Sequence, residues 1–202
     1  MATVNSYTEW MPTPDRTSLD EIVGAGRDLL ESEGLAGLSM QAVAERVGVR
    51  APSLYKRVRS RDDLIRLIAE SALSDLTSRL DAVAVAEPNT DPVHRLTALA
   101  HAVRAFARTS PEAYRLMFSP PSDGAGASPE SIARSAAEIL SVAAELAGPD
   151  DALDAARTAT AWTTGFIAME LAGGFRLGGD VDRAYAYGIA RIAAALDRRT
   201  NG

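Results

Sequence analysis

From Ser18 onward, apolar residues recur every three or four positions, and no stretch of useful length alternates at period 2. That spacing puts one buried stripe on each helix and leaves nothing to build a sheet from. The chain is therefore read as all-α. Leu19, Ile22, Val23, Gly26, Leu29 and Leu30 form the first stripe. Ser18 is placed to cap it, Asp20 and Glu21 favour its dipole, and Gly34 stops it. Ser39 caps a short second helix through Val47, with Ala42, Val43 and Val47 inward, and Gly48 ends it. A third short helix opens at Ala51-Pro52, where the missing proline N–H costs nothing. It carries Leu54, Tyr55 and Val58. Ser60 caps a long fourth helix at roughly 61–84, with Asp62 and Asp63 in its first turn. Further helices are expected at about 91–108, 110–118, 128–147, 150–173 and 180–198. Pro111, the run Ser119 to Gly124, Gly148-Pro149, Gly173-Gly174 and Gly178-Gly179 separate them. Residues 1–17 are polar, contain Pro12 and Pro14, and read as a flexible arm.

Composition removes several kinds of chemistry. With 47% hydrophobic residues over 202, the chain can bury a real core and is not a disordered segment. The absence of Cys excludes disulfides, thiolate metal sites, Cys nucleophiles and Fe–S clusters. Only His94 and His101 carry imidazoles, too few for a His-rich metal site. No cofactor is expected. Met1 to Thr17 lacks a basic n-region and an apolar h-region, so it does not read as a signal peptide. No apolar run reaches about 18 residues, the length a membrane span needs. The expected location is cytoplasmic.

The net charge of −6 argues on its face against nucleic acid as a partner. The local distribution argues the other way. Residues 46–66 carry Arg46, Arg50, Lys56, Arg57, Arg59, Arg61 and Arg66 against Asp62 and Asp63, a balance of +5, which leaves −11 on the remainder. A basic patch on an acidic body is the footprint of a phosphate-binding surface. The patch coincides with two short helices flanking Gly48, the layout of a helix-turn-helix.

Residues Leu35 to Leu64, LAGLSMQAVAERVGVRAPSLYKRVRSRDDL, resemble the N-terminal domain of TetR-family transcriptional regulators. The resemblance extends over roughly 18–66 without gaps. It implies a homodimer whose third helix enters the major groove of a palindromic operator. By position, Ser39 and Gln41 would lie near phosphate. Arg50, Ala51 and Ser53 would reach base edges. Tyr55 and Lys56 would hold phosphates, as would Arg61 at the start of the fourth helix. Arg50 stands where many relatives have a capping Ser or Thr, and Val58 stands where Phe is usual. Farther on, Tyr114-Arg-Leu-Met-Phe118, Ala161 to Leu171 and Gly178-Gly-Asp180 resemble a C-terminal subtype marked by a Trp and a His-Gly pair. Here Thr164 precedes Gly165 in place of the His. The resulting division is an arm (1–17), a helix-turn-helix domain (18–66) and a helical effector-binding and dimerisation domain (67–202).

The resemblance also implies a small-molecule effector bound among the C-terminal helices, and apolar walls there suit an apolar ligand. Phe106, Tyr114, Met117, Phe118, Trp162, Thr164, Phe166 and Met169 are the candidate pocket residues, with Thr163 as a further polar tip. Plain core packing is the competing reading for each. The last two helices carry small residues in a 3–4 rhythm, such as Ala155, Ala156 and Ala159, then Ala184, Gly188 and Ala193. That rhythm fits either a four-helix dimer interface or an ordinary intramolecular bundle.

The expected function is a sequence-specific DNA-binding regulator, a repressor released from its operator by an effector. One rival is a helical interaction module that has lost DNA recognition, against which the basic segment and Leu54-Tyr55-Lys56 argue. An enzyme is the other. Ser53-Leu-Tyr-Lys56 matches the short S-x-x-K pattern but lacks its partner motifs. Asp91 and His94 lack the further ligands that a di-metal bundle needs. The glycines at 173–179 have no following Lys to make a phosphate loop. The chain is therefore not expected to be an enzyme.

Overall fold

The computed structural model describes residues 18–86, 90–118, 121–122 and 124–198. The expected arm, and Ser119, Pro120 and Asp123 of the expected separator, lie outside the described residues. Among those described, the chain forms nine helices and no strand: α1 (Leu19–Gly37), α2 (Met40–Arg46), α3 (Ala51–Leu54), α4 (Arg61–Ala86), α5 (Pro92–Thr109), α6 (Pro111–Phe118), α7 (Pro129–Ala147), α8 (Ala152–Leu171) and α9 (Val181–Leu196).

Capping chemistry sets most of these limits. Ser18 and Glu21 form a reciprocal capping box at the start of α1. Ser39 Oγ accepts the Ala42 N–H at 3.1 Å, and Asp91, Ser128 and Asp180 cap α5, α7 and α9 likewise. Gly34 (φ 68°) kinks α1, so one further turn, through Gly37, follows the expected stop. Gly48 adopts φ 75°, the left-handed conformation that reverses the chain between α2 and α3 and that a β-carbon would strain. α3 is a single turn, shorter than expected; beyond Leu54, N–H bonds from Arg57 and Val58 to the Leu54 carbonyl carry the chain round to Ser60.

α1, α2, α3 and the first half of α4 enclose a small core of Ile22, Leu30, Leu38, Val43, Leu54, Val58, Leu64 and Ile68, each essentially inaccessible to solvent. Val58, though smaller than Phe, is fully buried. α4 then runs on, and its second half packs against α5, α6 and α7. The helix is common to both units, and Leu73, Leu76 and Leu80 extend its buried stripe into the C-terminal body.

Two further ties join the units. Arg27 of α1 pairs with Asp75 of α4 at 2.7 Å. The Glu31 carboxylate of α1 accepts the backbone N–H groups of Glu112 (3.1 Å) and Ala113 (2.9 Å) at the start of α6. In the body, α8 and α9 bury Ala155, Ala156, Ala159, Thr163 and Ile167 on one side, and Tyr185, Ile189 and Ala193 on the other. The small-residue rhythm is thus used within the chain. A β-carbon on Gly188 would stand 2.2 Å from the Trp162 ring, so that close approach needs glycine. The outer faces of both helices, including Met169, Ala186, Tyr187 and Ala190, remain exposed.

Candidate nucleic-acid interface and apolar cavity

α3 is anchored by Leu54 and Val58, both fully buried. With those side chains turned inward, Arg50, Ser53, Tyr55, Lys56, Arg57 and Arg59 face solvent together. Arg50 is the N-cap residue of α3, and its side chain makes no capping bond. Tyr55 is 54% exposed, so its ring is not a core element and its hydroxyl is presented at the surface beside Lys56. Ala51 is half-buried at the same edge. At the start of α2, Ser39 spends its hydroxyl on its own helix, whereas Gln41 is exposed and donates to Glu45 at 2.7 Å.

Arg61, expected at phosphate, uses its guanidinium within the chain. Its Nε donates to the Leu38 carbonyl at 2.7 Å and one Nη to the Leu35 carbonyl at 2.5 Å. The guanidinium ties the end of α1 to the start of α4. That helix start is closed by its own residues: Ser60 Oγ accepts the Asp63 N–H, and the Asp63 carboxylate accepts the Arg59 N–H (2.9 Å) and an Arg66 Nη (2.8 Å). Those bonds, Arg59 first, hold the Asp63 carboxyl below its ordinary pKa.

The body contains a cavity of about 710 Å³ between α4, α5, α7 and α8, closed at one end by α6. Leucines of α4 and α5 form its floor, while Ile132, Ile139 and Leu140 of α7 face Leu153, Thr160 and Thr164 of α8. Met117 and Phe118 complete the wall. Of the candidate pocket residues, Met117, Phe118 and Thr164 line this space; Phe106, Tyr114, Trp162, Phe166 and Met169 are not in its walls. Phe106 is core, and Met169 is half-exposed on α8.

Trp162 and Phe166 pack with Tyr185 at ring separations of 5.4 and 5.1 Å, and Arg104 lies 4.5 Å above the Tyr185 ring. Arg104 itself is 4% exposed and donates to both oxygens of Glu170, at 2.8 and 2.7 Å, and pairs with Asp182. The large aromatics thus serve to bury an ion-pair network joining α5, α8 and α9. Leucine and alanine make the cavity, and none of its leucines was among the candidates read from the sequence. His101 stacks edge-on against Tyr185 at 5.2 Å, and burial, aided by Arg104, holds its pKa down. Among the described residues no group of three or more His, Asp or Glu is placed to hold a metal ion, and no helix is long and apolar enough to cross a membrane.

Residues 15–68 match the profile of bacterial regulatory proteins of the tetR family, and residues 96–192 match that of the tetracyclin repressor-like C-terminal domain. The chain is 36% identical, over 123 residues, to the HTH-type transcriptional regulator Rv1816 of Mycobacterium tuberculosis. That match takes in 59% of this chain and 51% of the relative, so the chain matches about half of the relative's length. A protein of unknown function from Rhodococcus sp. RHA1 has a similar structure, with TM-score 0.75 and 25% identity over 95% of this chain and 100% of that one. A TetR variant from Acinetobacter baumannii AYE, solved with minocycline, shares the fold at TM-score 0.68 and 21% identity, covering 91% of this chain and 98% of that one.

Proposed function

The chain belongs to the tetR family of bacterial helix-turn-helix regulators, a family without enzymatic activity, and from that premise we propose that it is a repressor released from a palindromic operator by a small molecule. The observation that carries the DNA-binding part is the coincidence of charge and exposure at α3. Arg50, Ser53, Tyr55 and Lys56 stand outward from a buried Leu54–Val58 anchor, within a segment of charge +5 on a chain of net −6. Arg50 and Ser53 read base edges beside Ala51; Lys56 and Tyr55 hold phosphates, with Ser39 and Gln41 flanking them. The acidic body turns the basic edge toward DNA.

The effector part rests on the apolar cavity and on α4, whose first half lies in the reading head and whose second half lines that cavity. A ligand with different affinities for two tilts of α4 shifts the spacing of two reading heads in a dimer. That a TetR variant of the same fold was solved with minocycline supports a small-molecule ligand. The exposed faces of α8 and α9 supply the dimer contact, the C-terminal half is of the Trp/His-Gly subtype with Thr164 in the His place, and the protein works in the cytoplasm.

Fluorescence anisotropy with DNA from upstream of its own gene, titrated at several salt concentrations, tests the reading. Sequence-selective binding that weakens steeply with salt is expected. Absence of selective binding to any genomic fragment overturns it in favour of an interaction module.

A further inference from the structure

The cavity is uniform in charge as well as in polarity. No carboxylate and no lysine lines it. Arg157, the one charged residue at its edge, has a side chain 70% exposed and paired with Asp154 at 3.6 Å, so it belongs to the solvent rim. A cation inside would meet no counter-charge, and an ionised carboxylate at depth would meet only hydroxyls. Both are disfavoured by desolvation.

The hydroxyls at the wall are Ser135 of α7 and Thr160, Thr163 and Thr164 of α8; Thr160 is exposed, whereas Thr163 is buried and Thr164 half-buried. Thr163 is engaged with the Tyr185 hydroxyl, which in turn donates to the Ala100 carbonyl at 2.7 Å. The second pairing is incomplete. Tyr114 is 3% exposed, and its buried hydroxyl makes no hydrogen bond of ordinary geometry; the Thr164 side chain is the group beside it. Burial pushes its pKa up, so the phenol keeps its proton and remains a donor, while the Thr164 side chain pulls the other way. Met117 and Phe118, one turn further along α6, line the cavity that Thr164 also lines. A buried donor without an acceptor is uncommon in folded proteins and marks a place where a partner is expected.

From these observations we propose that the cavity takes a neutral lipophile carrying one carbonyl terminus, such as a medium-chain ketone, ester or lactone, whose oxygen accepts from the Thr164 hydroxyl at the wall, with the Tyr114 hydroxyl behind it, while its hydrocarbon lies along the leucines of α4 and α5. A carbonyl is an acceptor only, which matches the Thr164 hydroxyl as donor. Thr164 both accepts and donates, so it relays the phenol proton toward the ligand. The proposal rests on the reading of this cavity as the effector site.

Isothermal titration calorimetry of the full chain at pH 8 tests it with three ligands of similar length: 2-undecanone, decanoate and decyltrimethylammonium. The ketone is expected to bind at one per chain, and the two ions at least about tenfold more weakly. Thr164→Val and Tyr114→Phe should each weaken ketone binding about fivefold, the worth of one ordinary hydrogen bond. Thr164→Ser should retain it. Tyr114→Phe removes a hydroxyl that makes no hydrogen bond of ordinary geometry in the free protein, so its melting temperature should stay close to that of the parent. Either ion binding as tightly as the ketone, no ketone binding, or unchanged ketone affinity in both variants overturns the proposal. Parallel anisotropy with DNA separates the two readings. Ketone binding without DNA release overturns the effector reading and leaves the ligand class standing, whereas selective DNA binding with no ketone binding overturns the ligand class alone.

Discussion

The Glu31 carboxylate of α1 closes the N-terminus of α6, accepting the Ala113 N–H at 2.9 Å and the neighbouring Glu112 N–H at 3.1 Å. An acceptor from one unit thus satisfies the otherwise open donors of a helix in the other, with its charge at the positive end of the dipole. The same α6 supplies Met117 and Phe118 to the cavity. Glu31→Ala should lower the unfolding free energy by about 1–2 kcal/mol, the cost of losing a cap. Glu31→Gln, which keeps an oxygen acceptor, should recover part of it. Urea denaturation followed by circular dichroism measures both.

Lys56 and Arg50 should fail differently. Lys56→Ala removes a phosphate contact, so affinity falls by a similar factor on every sequence and the salt slope drops by about 1. Arg50→Ala should instead relax preference at one operator position, with about 1–3 kcal/mol of discrimination lost there. Anisotropy on the operator and on single-base variants, repeated across salt concentrations, distinguishes the two behaviours.

Arg61 should act through the fold. Its bonds to the Leu35 and Leu38 carbonyls hold α1 to α4, so Arg61→Ala should cost about 1–3 kcal/mol of stability. Arg61→Lys cannot reproduce the two-point grip and should recover little. A reduced salt slope of DNA binding with an unchanged melting curve would instead assign Arg61 to a phosphate.

Acid should loosen the body at the Arg104 network. Hydrogen bonds from Arg104 hold the Glu170 carboxyl below its ordinary pKa, against the upward push of burial. Since the folded-state value is the lower one, this stabilisation is full above the ordinary glutamate range and is lost as pH falls through that range toward the depressed value. Glu170→Gln should flatten the acid limb of a melting-temperature profile. Glu170→Ala leaves the buried Arg104 with Asp182 as its remaining partner in the network and should cost about 3 kcal/mol at neutral pH. An acid limb that is equally steep in the Gln variant would refute the assignment.

The helices and most of their ends were legible in the residue pattern, because those depend on neighbours three or four residues apart; α1, which runs on past Gly34, and the single-turn α3 are the exceptions. Ser18, Ser39 and Ser128 cap the helices that follow them, and Gly48 takes the left-handed turn between α2 and α3. The outward set at α3 was legible for the same reason: once Leu54 and Val58 go inward, the helix period turns Arg50, Ser53 and Lys56 out.

Tertiary structure decided what the large and charged side chains of the body do. Trp162 and Phe166 suggested a pocket by size, yet both pack on Tyr185 of α9, and Phe166 also on Arg104 of α5. Glu31 meets Ala113 across 82 residues and Arg104 meets Glu170 across 66, separations at which no local period operates. A cavity arises where several helices fail to meet, so its walls belong to no single helix. Whether a leucine stripe closes on a neighbour or lines a space depends on how the partner helices are set, and only the assembled chain fixes that.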